Sequence, residues 1–258
     1  MTGNGGDNVF YNSRSIRPIF DRFRHQGLSP GLLETAGDIA TITRTTQVDV
    51  MWHVLKHSLK IRAPYRSPVD TSLLTADAHR QARALRFTHP WIDPISGRAP
   101  GKAGHIAMLL SMQNHVEGYL RDADIPIVNP LVSQPIVELA LAIPTWRMIE
   151  GGRDRSIVRH AFEASLPREI ITRRRKGSPG SFALNVLVQN IDDVRQRLLD
   201  GRLVRAGYLD QGAIEAALAK GPGMGKSYMR LLALLDIEAW LQSWESLRAD
   251  LASQTAPY

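Results

Sequence analysis

The 258-residue chain contains no cysteine. That removes disulfides, thiolate catalysis and cysteine-based zinc sites from the possible chemistries. Long apolar runs are missing too, and nothing approaches the roughly 18 consecutive apolar residues of a membrane helix. The first residues, Met1-Thr2-Gly3-Asn4-Gly5-Gly6-Asp7, lack a basic stretch followed by an apolar one, so no secretory signal is read there. There is no internal repeat and no low-complexity segment. No RNA- or DNA-binding motif accompanies the basic charge, so neither nucleic acid nor membrane is an expected partner. A cytoplasmic protein is the expectation. Few segments read as strands.

What is present is a 43% hydrophobic chain with a formal charge of +7, in which Arg far outnumbers Lys. That length and apolar content can bury a sizeable core, as one domain or two tightly packed ones. The charge fits a phosphate-bearing or acidic partner. It fits an arginine-rich background composition equally well, and the two readings stay open.

Helical signals dominate after the first dozen residues. Residues 21–25 form a short amphipathic stretch closed by Gly27 and Pro30. Residues 32–59 have spacing compatible with helix, weakened by the Thr-rich residues 41–46. Residues 63–68 and 90–100 read as turn and loop, each carrying prolines. Residues 103–120 read as a helix with Ile106, Leu109, Leu110 and Met112 on its apolar side. Ser133 is a candidate cap for a nearly all-apolar helix over 136–143, which is expected to be deeply buried. Asp154 is a candidate cap for 156–165, and Asp210 for 211–220 with Gly221 as the stop. Residues 185–199 are amphipathic. Leu231, Leu232, Leu234, Leu235, Ala239, Trp240 and Trp244 recur at helical spacing, and both tryptophans are expected in the core. The tail over 252–258 is expected to fray.

Three of these features could carry chemistry but read better as ordinary structure. Gly221-Pro222-Gly223-Met224-Gly225-Lys226-Ser227 suggests a phosphate-binding loop, but its first required glycine falls at Lys220 and no strand precedes it. It reads as a helix-ending turn. His53 and His57 have metal-ligand spacing, but no Glu follows His53, so they read as surface or core histidines. Arg173-Arg174-Arg175-Lys176 is a basic patch, either solvated or phosphate-facing.

The stretch with most chemical content is Gly3-Asn4-Gly5-Gly6-Asp7-Asn8-Val9-Phe10. Its glycines let backbone N–H groups converge on an anion. Asp7 could cap the following helix or hold a metal ion. Further along come Asn129-Pro130-Leu131-Val132-Ser133-Gln134-Pro135 before Val137-Glu138-Leu139-Ala140, then Gly151-Gly152-Arg153-Asp154-Arg155. Leu166-Pro167-Arg168-Glu169-Ile170-Ile171 and Arg173-Arg174-Arg175-Lys176-Gly177 follow.

In order and spacing this set resembles the asparagine synthetase-like family, over most of residues 3–244. The resemblance implies a mostly α-helical remainder of an α/β adenine-nucleotide α-hydrolase-like (PP-loop ATP pyrophosphatase) domain, with residues 1–251 its C-terminal part. It implies an AMP-forming, carboxylate-adenylating amide ligase that uses ATP and Mg²⁺. On this resemblance Asn4, Asp7 and Arg155 are catalytic. Gly3, Gly5, Gly6, Arg174 and Lys176 face ATP or pyrophosphate, and Asp7 holds the metal.

Four departures shift the expected substrate. Asn4 stands where the family commonly has Glu, and Asn8 where Glu usually follows the Asp. Arg155 replaces the catalytic Lys, keeping its charge but unable to act as a base. Ser133 replaces an Asp. The pattern looks more like the lasso-peptide macrolactam branch, in which a peptide's own N-terminus attacks an activated side-chain carboxylate. The expected partner is therefore a peptide precursor, or otherwise an amino-acid substrate. The family's Ser-Gly-Gly-x-Asp-Ser loop does not occur in the sequence. A fragment inactive in isolation, lacking upstream sheet strands and the PP-loop, is expected, or a split enzyme with a separate ATP-binding or leader-peptide-binding subunit. A C-terminal fragment of a glutamine-hydrolysing asparagine synthase and a non-catalytic peptide-binding subunit are the alternatives.

Overall fold

A computed structural model describes residues 1–58, 65, 69–85, 89–116, 128–173, 180–225 and 227–254. Among these residues the fold is helical and contains no strand, with one isolated antiparallel bridge between Leu74 and Leu209. The α-helices are α1 (Gly6–Val9), α2 (Arg17–Gln26), α3 (Gly31–Thr43), α4 (Gln47–Ser58), α5 (Ala76–Ala84), α6 (Asp93–Ser96), α7 (Pro100–Val116) and α8 (Gln134–Ala142). They continue as α9 (Ser156–Ala161), α10 (Arg168–Ile171), α11 (Gly180–Gln189), α12 (Ile191–Leu199), α13 (Arg202–Arg205), α14 (Gln211–Leu218) and α15 (Ser227–Gln254). No helix among the described residues is long and apolar enough to cross a membrane.

The chain forms two compact units, one of Met1–Ser67 with Phe87–Arg175 and one of Pro68–Arg86 with Lys176–Tyr258. The first has a core of Val9, Tyr11, Ile19, Ile39, Val50, Leu109, Met148 and Ile149. A buried carboxylate organises it. Asp21, on α2, accepts from the N–H groups of Gly101 and Lys102 at 2.8 and 2.9 Å and from the Thr145 hydroxyl at 2.8 Å. It thus caps α7 from 80 residues away. Only glycine fits at position 101, where a Cβ would lie 2.4 Å from the Asp21 carboxylate.

The second unit repeats the device around a core of Leu187, Leu198, Ile214, Leu218, Leu231 and Leu234. Glu238, buried on α15, accepts from the N–H groups of Arg202 and Leu203 at 3.0 and 2.7 Å and so caps α13. Asp210 caps α14 through the Ala213 N–H at 2.8 Å, as the sequence predicts. The glycine-rich segment after α14 is the expected turn, helical over Gly221–Gly223, with Lys226 outside the described residues.

Several expectations are corrected. The helical pattern over 32–59 is two helices among the described residues, α3 and α4, because Arg44 turns left-handed at φ 59° and Thr46 and Asp49 cap α4 reciprocally. Residues 185–199 likewise split at Asn190, whose side-chain amide donates to the Val186 carbonyl at 2.8 Å instead of continuing the helix. Residues 90–100 are not wholly loop, since they contain α6 and the first residue of α7. In the expected buried helix over 136–143 only Ala140 is buried, and Leu139 is 65% exposed. Ser133 precedes it without a capping side-chain bond. Trp240 and Trp244 are not core residues. They are 59% and 50% exposed and meet edge to face at 6.1 Å. His53 and His57 are exposed on α4, where the His57 Nδ1 donates to the His53 carbonyl at 2.9 Å.

Candidate active site

The glycine-rich turn forms as read, with Gly5 in the left-handed region (φ 85°) before the four-residue α1. Glycine is needed there twice over. A Cβ on Gly5 would lie 2.5 Å from both Met112 Sδ and Val132 Cγ2, and one on Gly6 would lie 3.2 Å from Leu131 Cδ1. Gly3 has open space on the side a Cβ would take. The turn is tied to the Asn129-Pro130 motif. The Thr2 N–H donates to the Val128 carbonyl at 2.9 Å, and the Thr2 hydroxyl donates to the Asn129 side chain. Asn8, one of the departures from the family pattern, donates its amide to the Met108 carbonyl at 2.8 Å. It links the turn to α7.

Asp7 does not cap α1; it points to Arg155. The Arg155 Nη1 donates to Asp7 Oδ1 at 2.8 Å, joining two of the sequence-predicted catalytic residues across 148 positions. Both side chains are about three-quarters buried, 23% and 26% exposed. Arg155 adopts a left-handed backbone (φ 55°) at the start of α9, uncommon for a residue with a side chain. That backbone lets its guanidinium reach Asp7 while its Nε donates to Asp154 Oδ1 at 3.0 Å. Asp154 is therefore not the cap expected of it.

Arg159 is the hub that sequence reading underweighted. It donates to the Asp154 carbonyl and carboxylate at 2.9 and 3.0 Å, to the Ile171 carbonyl at 2.6 Å and to the Arg173 carbonyl at 3.0 Å. One side chain thus ties the Gly-Gly-x-x-Arg element to the Ile170-Ile171 segment and to the start of the basic loop. The spacing of Asp154 and Arg159 at the head of one helix is the sequence signal for that network. Asp38 lies beside the preceding turn. Burial raises its pKa, and the nearby Gly152 and Gly151 N–H groups oppose the rise.

Not every expected site residue joins the cluster. Asn4 is exposed, and its N–H donates to the Thr2 hydroxyl at 3.2 Å. No hydrogen bond among the described residues links the Asn4 side chain to Asp7 or Arg155. Arg174 and Lys176 lie outside the described residues. No group of three potential metal ligands gathers among the described residues. With the Asp7 carboxylate also engaged by Arg155, the arrangement suits a cation shared with phosphate oxygens and does not suit a self-contained metal centre.

Beneath the turn, His105 is fully buried and donates from Nε2 to the Val9 carbonyl at 2.8 Å, edge-on to Tyr11. Burial, with the nearby Lys102 charge, lowers its pKa to about 4, and its Nδ1 has no partner. Lys102, whose ammonium donates to the Ile143 carbonyl at 2.6 Å, is lowered by burial to about 8.

No curated protein and no solved structure matches the chain. The family model described as asparagine synthase matches residues 1–245, the span that holds the turn, the Asp7–Arg155 pair and the Arg159 hub. The chain belongs to the asparagine synthase family, a family of ATP-dependent ligase-type enzymes that form amide bonds.

Proposed function

We propose that the chain supplies the amide-forming part of an AMP-forming macrolactam synthetase. Its substrate would be a peptide whose Asp or Glu side-chain carboxylate is activated and then attacked by the peptide's own N-terminal amine. The observation that carries this reading is the 2.8 Å Asp7–Arg155 pair, which sets a fixed cation beside the glycine-rich turn. In this role Arg155 stabilises negative charge that builds on the departing phosphates and on the tetrahedral oxyanion. Asp7 and Asp154 hold its guanidinium from two sides, so its position costs no reorganisation when charge develops. ATP with Mg²⁺ would supply the leaving group that activates the carboxylate, and Asp7 is the carboxylate we assign to hold the metal. By the family resemblance, Arg174 and Lys176, outside the described residues, would add to the phosphate-binding set.

The choice of peptide over free aspartate rests on the four departures at Asn4, Asn8, Ser133 and Arg155, a pattern closer to the macrolactam branch. Neither Asn4 nor Arg155 can accept a proton near neutrality, so neither acts as a base towards the amine. The test is to incubate the chain, with any separate ATP-binding or leader-binding subunit, with a precursor peptide, ATP and Mg²⁺. AMP and a product lighter by one water are expected. Amidation of free aspartate in place of the peptide would overturn the substrate assignment. Activity that survives both Asp7→Ala and Arg155→Ala would remove the catalytic role and leave a peptide-positioning subunit.

A further inference from the structure

A hollow of about 230 Å³ lies within the first unit, on the Gly152–Asp154 side of the Gly-Gly-x-x-Arg element, and neither Asp7 nor Arg155 lines it. Its walls carry Arg14, Arg44, Arg153, Arg159 and Arg173 against one acid, Asp154. Asp154 Oδ1 already accepts from both Arg155 and Arg159, so this one carboxylate faces more arginines than it can neutralise. Among the described residues the side chains of Arg14, Arg44 and Arg153 make no hydrogen bond or ion pair. Three arginines thus line one hollow with no carboxylate partner among the described residues. Such crowding is unfavourable unless an anion is drawn in.

We propose that this hollow is a binding site for a phosphate-class oxyanion, distinct from the Asp7–Arg155 pair. Planar guanidinium forks match phosphate oxygens two at a time. The volume is below the roughly 300–1,000 Å³ of sites for drug-sized ligands, so it fits a phosphate or pyrophosphate group and not a whole nucleotide. The ligand is either free inorganic phosphate or pyrophosphate, or the phosphate chain of a nucleotide whose remainder stays outside. Asp154 forms part of the wall and also holds Arg155, so an occupant would sit one carboxylate away from the Asp7–Arg155 pair.

Isothermal titration of the purified chain at low salt tests the site without requiring catalysis, so its result does not depend on the ligase reading. The probes are inorganic phosphate and pyrophosphate, each followed by ATP. Saturable binding is expected, at least tenfold weaker in the Arg14→Gln/Arg44→Gln double variant. Both residues are exposed, and circular dichroism checks that the variant stays folded. The charge-matched Arg80→Gln/Arg83→Gln variant should bind as wild type. ATP displaced by pyrophosphate would place the site under a nucleotide's phosphate chain. ATP binding that ignores the double variant would leave a site for free phosphate or pyrophosphate. Absence of saturable binding, or equal weakening in both double variants, would overturn the proposal.

Discussion

Arg155 holds two carboxylates with one planar group, Nη1 to Asp7 and Nε to Asp154. A lysine carries the same charge on a single nitrogen and cannot span both partners in that way. Arg155→Lys is therefore expected to keep the fold and lower the rate of AMP release by about 10²-fold, the scale of losing one preorganised donor. A variant with wild-type kcat would show that the two-sided hold is structural only. Gly5 is a sharper structural test. At φ 85°, with Met112 and Val132 within 2.5 Å of an added Cβ, Gly5→Ala must strain the turn and displace both neighbours. Destabilisation of about 1–3 kcal/mol is expected from the left-handed backbone and overpacking together, read as a shift in denaturation midpoint. An unchanged midpoint would mean that the turn relaxes freely and is not a rigid platform. Asp7 and Arg155, which the structure brings into contact, could each be singled out in the sequence because each sits in a short motif. The engagement of Asp154 was not, because a carboxylate before a helix reads as a cap unless a competing arginine is already known to be in reach.

At the scale of elements, each unit spends one buried carboxylate on a distant helix start, Asp21 for α7 and Glu238 for α13. In each case a glycine, Gly101 or Gly201, makes room, and a Cβ would lie 2.4 Å from the carboxylate. Glu238→Ala leaves the Arg202 and Leu203 N–H groups without their acceptor and opens a void. A loss of about 1–3 kcal/mol or more is expected, together with faster amide exchange at residues 202–205 by hydrogen–deuterium exchange. Unchanged exchange there would show that water replaces the carboxylate without cost. These long-range caps explain which helix boundaries were legible. Asp210 and α14 were read correctly because cap and helix adjoin. The start of α7 at Pro100 was not, because its cap comes from α2. The helical pattern over 32–59 breaks at the Thr-rich residues that weaken it, where Thr46 and Asp49 form a second helix start inside an apolar pattern. The apolar run of α8 shows the opposite error. Hydropathy alone reported full burial, whereas the helix buries little beyond Ala140 and leaves Leu139 exposed within this chain.

For the whole molecule, the ordered motifs carried the family and the helical character, while the polar core that supports the site was invisible to pattern reading. His105 and Lys102 on α7, Asp21 on α2 and Tyr11 come from three sequence neighbourhoods and meet only in the fold. Their burial gives the first unit a pH dependence with a definite sign. His105 has a folded pKa of about 4, below its ordinary 6.5. Between those values the unfolded chain holds the extra proton, so stability is present above pH 6.5 and is lost as pH falls towards 4. Lys102, lowered from 10.5 to about 8, has the same sense at higher pH, and stability rises as pH climbs from 8 to 10.5. Asp21 is raised by burial and works the other way, gaining stability as pH falls through the range just above its ordinary 3.8. It trims the lower end of the His105 effect. Urea midpoints measured from pH 4 to 7 should therefore fall with acidification. His105→Gln, which can still donate to the Val9 carbonyl but cannot titrate, should flatten that slope between pH 4.5 and 6.5. An identical acid slope in wild type and His105→Gln would assign the loss to other groups and remove His105 as its cause. A flattened slope that keeps its rise between pH 8 and 10.5 would separate the two bases, leaving Lys102 to be tested by Lys102→Met.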